Sequence, residues 1–143
     1  MTEPVTTSDS RPIYTATSGG RSGQAFVGRD RLNVPLRPPQ SRSEGADPEE
    51  LFAAGYASCF LSALQSVARR DGVTVGTPQA RARRPARRDD HYHLSVLLQI
   101  HLPGTDDGTA ERLVHAAHAT CPYSRAIAGN VPVGLELHRD PLL

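Results

Sequence analysis

The sequence predicts one α+β domain over residues 12–143, behind a polar lead of residues 1–11 expected to be disordered. Three observations point there. Residues 47–71 carry both a start and a stop signal for a helix, whose middle, Leu51 to Leu64, is apolar or small all round. Residues 91–102 and 131–137 alternate apolar and polar side chains, which is the period of a strand. Strands and helices follow one another without a regular β-α-β rhythm, which separates this pattern from a doubly wound α/β fold.

Taken in order, residues 13–17 read as a short strand and Gly19-Gly20-Arg21-Ser22-Gly23 as a turn. Residues 24–28 and 32–36 read as two more strands, completing a hairpin or meander. Pro, Ser and charge over 37–46 make a loop. Asp47 then serves as an N-cap, Pro48 suits the first helical position, and Glu49 and Glu50 lie at the positive end of the helix dipole. The helix runs to Asp71 and stops at Gly72, with Cys59 near its midpoint. Over 73–90 the pattern stays open. Alternation in Arg81-Ala82-Arg83 fits an edge strand defended by charge, while a solvated basic face is the simpler reading of the Arg-rich stretch 81–88. Along 91–102, Leu94, Val96, Leu98, Ile100 and Leu102 point one way and His93, Ser95, Gln99 and His101 the other. Residues 109–120 make an amphipathic helix with Leu113, Val114 and Ala117 inward. Pro122 opens a short helix that ends near Gly129, and Val131, Val133, Leu135 and Leu137 mark a last strand.

Composition removes several classes of function. The chain has 143 residues with 16 basic and 15 acidic side chains, every basic one an Arg, so it makes no electrostatic case for nucleic acid or a membrane surface. No apolar stretch reads as long enough to cross a bilayer, and the polar start lacks a signal core, so a cytoplasmic location is expected. An apolar fraction of 38% with 12 Gly and 12 Pro suits either a loop-rich domain or one that buries further surface by pairing with itself.

The two cysteines are the residues with the most chemistry. In a reducing compartment a lone pair is seldom a structural staple, and two thiols that meet can perform two-electron redox chemistry. Cys121 opens Cys121-Pro122-Tyr123-Ser124 at a helix start, where amide dipoles favour a thiolate. On local grounds it has the lower pKa of the two. Cys59 sits in the middle of an apolar helix, where desolvation raises a thiol pKa and an inert core role is the plain alternative. Arg21, in its glycine turn, and Glu49 offer a cation and a carboxylate to hold it. His115, His118 and Cys121 recur at spacings of three and share one face, the basis of an alternative metal-binding reading. With two cysteines and no Cys-x-x-Cys pair, no metal is expected.

The run Asp47–Phe60, the Gly-Gly-Arg turn, and Cys121-Pro122-Tyr123-Ser124 followed by Gly129-Asn130 resemble the organic hydroperoxide resistance proteins of the OsmC/Ohr family. The likeness extends from about Ile13 to Leu137. It implies an intertwined homodimer with a long central helix packed against antiparallel β-sheets. It also implies a thiol peroxidase for alkyl and fatty-acid hydroperoxides. By resemblance Cys59 is the attacking thiol, Cys121 the resolving one, Arg21 the activator of the thiolate and Glu49 the residue that orients Arg21, which reverses the local reading of the two thiols. Phe52, Tyr56 and Phe60 are the expected substrate contacts. No bound cofactor is implied, and a lipoyl dithiol on a lipoylated protein is the implied reductant. A non-enzymatic thiol sensor or ligand-binding protein on the same scaffold is the competing expectation. A preorganised Arg21 and Glu49 separate the two.

Overall fold

The computed structural model describes residues 16–28, 31–87 and 93–143. The expected disordered lead, most of the strand expected at 13–17, Arg88 and His91 lie outside the described residues. The chain divides into two compact units, Met1–Pro48 and Glu49–Leu143.

In the first unit, β1 (Ala16–Ser18), β2 (Gln24–Val27) and β3 (Leu32–Pro35) form an antiparallel meander in the order β1-β2-β3. Ser18 pairs with Gln24, so residues 19–23 close the hairpin as a single 3-10 turn over Gly20–Ser22. Its glycines are required. Gly19 and Gly20 have φ of 79° and 59°, and a Cβ on Gly23 would stand 1.6 Å from the Ser18 carbonyl oxygen. Arg21 is thereby carried, exposed, at the tip of a turn that only glycine permits. The loop that follows is tied by the Arg37 guanidinium, which donates to the carbonyls of Gly45 and Ser41, both at 2.9 Å.

The second unit is built on α1 (Pro48–Arg70), with Glu49 and Glu50 in its first turn and Arg69 and Arg70 in its last, each set opposing the helix dipole. Its end is a Schellman cap. The Val73 amide bonds the Ala68 carbonyl at 2.9 Å, the Gly72 amide bonds Arg69 at 3.2 Å, and Gly72 is left-handed at φ 68°. β4 (Gln79–Arg87), β5 (Leu94–His101) and β6 (Val133–Leu137) form the second sheet, in the order β4-β5-β6. α2 (Asp107–Thr120) and α3 (Pro122–Ile127) make the crossover from β5 to β6. Asp106 caps α2 by accepting from the Thr109 amide at 2.9 Å.

One core joins these elements. Tyr56, Phe60, Leu64, Val67 and Ala68 of α1 pack with Val96, Leu98 and Ile100 of β5, with Leu102 just beyond it, with Ala110, Leu113, Val114 and Ala117 of α2, and with Cys121.

Four expectations need correction. The Arg-rich stretch is an edge strand, not merely a solvated face: β4 pairs with β5 with Arg81 and Arg83 exposed and Ala82 turned toward the core. Its register shifts between Arg83 and Ala86, where Pro85 cannot donate to the ladder. His101, expected outward, is buried, its Nδ1 3.0 Å from the His138 carbonyl oxygen. The antiparallel expectation holds for β1–β2, β2–β3 and β4–β5. β5 and β6 run parallel, because two helices rather than a hairpin connect them. Lastly, α1 is long and apolar enough to cross a membrane by length and composition. Its Ala- and Gly-rich middle hid this from a reading by large side chains, and Tyr56, Phe60, Leu64 and Val67 set one face of it in the protein core.

Candidate active site

Helical spacing decides what faces the cysteines. Glu49, Phe52, Tyr56, Cys59, Ala63, Ser66 and Arg70 recur at steps of three and four along α1, so they share one stripe. Onto that stripe comes the corner between α2 and α3, whose single linking residue is Cys121. Pro122 at the first position of α3 excludes Cys121 from that helix and holds it extended, at φ −61° and ψ 124°. The Cys121 amide still donates to Ala117 at 2.7 Å, and its carbonyl accepts from the Arg125 amide at 3.0 Å. The corner is therefore fixed on both sides.

The two sulfurs lie 3.7 Å apart, and both cysteines are free thiols. A disulfide has a sulfur–sulfur length of about 2.05 Å, so bond formation requires the atoms to close by roughly 1.6 Å. They differ in access: Cys121 has no exposed surface, whereas Cys59 is half-buried. Cys59 opens on a cavity of about 470 Å³ lined also by Ser62, Ala63, Ser66, Val67, Arg70, Thr120 and Pro122. That volume suits a small organic molecule. The thiol a solvent-borne oxidant reaches is thus Cys59, and the one held behind it is Cys121.

Within this unit the Cys59 thiol is not prepared to ionise. Burial pushes its pKa up, the neighbouring Cys121 pushes it further, and a hydrogen bond from the Tyr123 amide pulls only partly the other way. A thiolate here needs a cation.

Phe52, Tyr56 and Tyr123 make a triangle of rings on the residues that flank the two cysteines in sequence. Ring centroids are 5.9 Å apart for Phe52 and Tyr56, 6.5 Å for Phe52 and Tyr123, and 5.9 Å for Tyr56 and Tyr123. Of the three expected substrate contacts, Phe52 keeps exposed surface. Tyr56 and Phe60 have none and are core residues, so that expectation is corrected for both. Tyr123 was missed as a surface beside the site. It is 41% exposed, and its place two residues after Cys121 was the available signal. Arg21 belongs to the first unit; Glu49 and both cysteines belong to the second. Among the described residues no group of three or more His, Cys, Asp or Glu is arranged to hold a metal. His115 faces Glu111 at 4.0 Å, and His118 bonds Ser124.

Comparison with known proteins adds to this geometry. Residues 41–136 match the family model described as OsmC-like protein. The chain is 42% identical over 140 residues to the organic hydroperoxide resistance protein OhrA of Bacillus subtilis, covering 90% of this chain and 98% of that one. It is 35% identical over 143 residues to the organic hydroperoxide resistance protein of Xanthomonas axonopodis pv. citri, covering 91% and 98%. The crystal structure of an organic hydroperoxide resistance protein from Legionella pneumophila superposes with a TM-score of 0.81 at 33% identity, over 90% of this chain and 98% of that one.

Proposed function

Since the chain belongs to the OsmC-like family, among the organic hydroperoxide resistance proteins, we propose that it is a cysteine-based peroxidase that reduces organic hydroperoxides to alcohols. The observation that carries this reading is a half-buried thiol at a cavity mouth with a second, fully buried thiol 3.7 Å behind it.

The Cys59 thiolate attacks the outer peroxide oxygen. The O–O bond breaks, the alkoxide takes a proton and leaves as the alcohol, and Cys59 becomes a sulfenic acid. The Cys121 thiol then displaces that oxygen as water, and the Cys59–Cys121 disulfide forms. A dithiol returns both cysteines to thiols and itself closes to a cyclic disulfide. A lipoyl group on a lipoylated protein is our proposed reductant.

Arg21 supplies the cation that the upward-shifted Cys59 thiol requires, and Glu49 orients it by a charge-assisted pair. Support comes from the glycine turn that displays Arg21 and from the position of Glu49 on the Cys59 stripe of α1. The same guanidinium stabilises charge developing on the departing oxygen. Substrates with alkyl or acyl tails suit Phe52, Tyr123 and the cavity walls better than hydrogen peroxide does. The working form is an intertwined homodimer in the cytoplasm, and α1, an apolar helix that the single chain buries only in part, supports self-association.

The test is turnover of cumene hydroperoxide with dihydrolipoamide. The wild-type protein is expected to turn over and Cys59→Ser to be inactive. Wild-type rates in Cys59→Ser overturn the reading.

A further inference from the structure

We propose that His118 is a positioning residue for disulfide closure, acting through Ser124 and Tyr56 on the placement of Cys121; this rests on the peroxidase reading above. Ser124 Oγ lies 2.9 Å from His118 Nδ1 and 2.6 Å from Tyr56 Oη. His118, Ser124 and Tyr56 come from α2, α3 and α1 respectively, so one buried hydroxyl ties together the three helices that carry the sulfurs. Tyr56 is one turn before Cys59 on α1, and Cys121 is three residues from both His118 and Ser124. The backbone bonds of Cys121 run only to α2 and α3, to Ala117 and from Arg125. They set the shape of the corner. The hydroxyl chain is a side-chain tie that fixes that corner against α1, beside the bond from the Tyr123 amide to Cys59.

One arrangement of protons satisfies all three side chains. In it the Tyr56 hydroxyl donates to Ser124 Oγ, and burial pushes the Tyr56 pKa further up. The Ser124 hydroxyl is then free to donate to His118 Nδ1, which accepts in the tautomer that carries its proton on Nε2. Tyr56 and Ser124 are almost wholly buried, and His118 is half-buried. Removing the imidazole leaves the Ser124 proton without its acceptor and the corner without one tie.

The consequence falls on one step. Attack of Cys59 on a hydroperoxide makes no bond to Cys121, which bears on that step only through the ionisation of Cys59. Closure needs Cys121 to cross the last part of a 3.7 Å gap along the axis of the breaking S–O bond. A corner that swings slows the second step relative to the first.

The experiment is rapid mixing of the reduced protein with cumene hydroperoxide. Sulfenic acid formation and disulfide formation are followed separately, and the hydroperoxide concentration that drives half the Cys59 to sulfinic acid is recorded. In His118→Ala the ratio of closure rate to attack rate falls by about tenfold or more, and over-oxidation sets in at a hydroperoxide concentration lower by the same factor. His118→Asn places an acceptor where Nδ1 stood and restores the ratio, whereas His118→Gln, whose amide reaches the Nε2 position, does not. An unchanged ratio in His118→Ala overturns the inference. So does equal rescue by Asn and Gln, or a fall of both steps in proportion to lost thermal stability. A wild-type protein inert to the hydroperoxide instead sinks the peroxidase reading and the inference with it, an outcome the wild-type control distinguishes.

Discussion

At Cys59 two effects oppose each other. Burial and the neighbouring thiol disfavour the anion, and the Tyr123 amide favours it only in part. On the proposed mechanism the deficit is met by Arg21. The sign of the consequence is fixed: without that cation the pKa rises, less thiolate exists at a given pH, and rate returns as pH is raised. Arg21→Ala is expected to move the pH profile of Cys59 alkylation upward, with a loss of about tenfold at neutral pH for each pH unit of displacement. An unmoved profile in a stopped-flow alkylation assay excludes Arg21 as the activating cation. Cys121→Ser is expected to complete one round of hydroperoxide reduction and then stall. Its Cys59 passes to sulfinic acid, read by peptide mass spectrometry, where the wild type gives a disulfide. Beside the sulfurs, Tyr123→Ala removes exposed ring surface next to the site and should raise KM for cumene hydroperoxide several-fold while leaving kcat for a small alkyl hydroperoxide nearly unchanged.

Among the elements, the glycines of the first hairpin carry the sharpest structural prediction. A Cβ on Gly23 would overlap the Ser18 carbonyl, so Gly23→Ala must deform the turn that presents Arg21. Peroxidase activity should fall toward that of Arg21→Ala while the helix signal in circular dichroism persists; full activity would remove the turn from the account. Gly72→Ala forces an alanine into φ 68° at the end of α1 and should cost about 1 kcal/mol in urea unfolding. These elements were also the most legible in the sequence. Asp47-Pro48-Glu49-Glu50 and Gly72 are local signals for helix ends, and the alternation around Val96 and Leu98 is a local signal for a strand. What escaped a reading of the residues alone was set by partners distant in the chain. The parallel pairing of β6 with β5, the burial of His101 against the backbone at His138, and the full enclosure of Tyr56 and Phe60 all depend on which surfaces the fold brings together. The two sulfurs followed the same rule. Local sequence favoured Cys121 as the reactive thiol because a helix starts beside it, yet the α2–α3 corner shuts it away and leaves the access to Cys59.

Over the molecule as a whole, a chain that buries its apolar helix α1 only in part is expected to pair with itself. Sedimentation equilibrium at micromolar concentration should return twice the 15.4 kDa of one chain, and a monomer there contradicts the dimer. The redox state of the whole chain follows from one pair of atoms, since Cys59 and Cys121 are its only cysteines. The most direct measurement adds one equivalent of cumene hydroperoxide to fully reduced protein, counts the remaining thiols and maps the sulfurs by peptide mass spectrometry. The account predicts loss of both thiols for each hydroperoxide consumed and a Cys59–Cys121 linkage within one chain. Thiols that survive while hydroperoxide disappears, or a linkage only between chains, would contradict it.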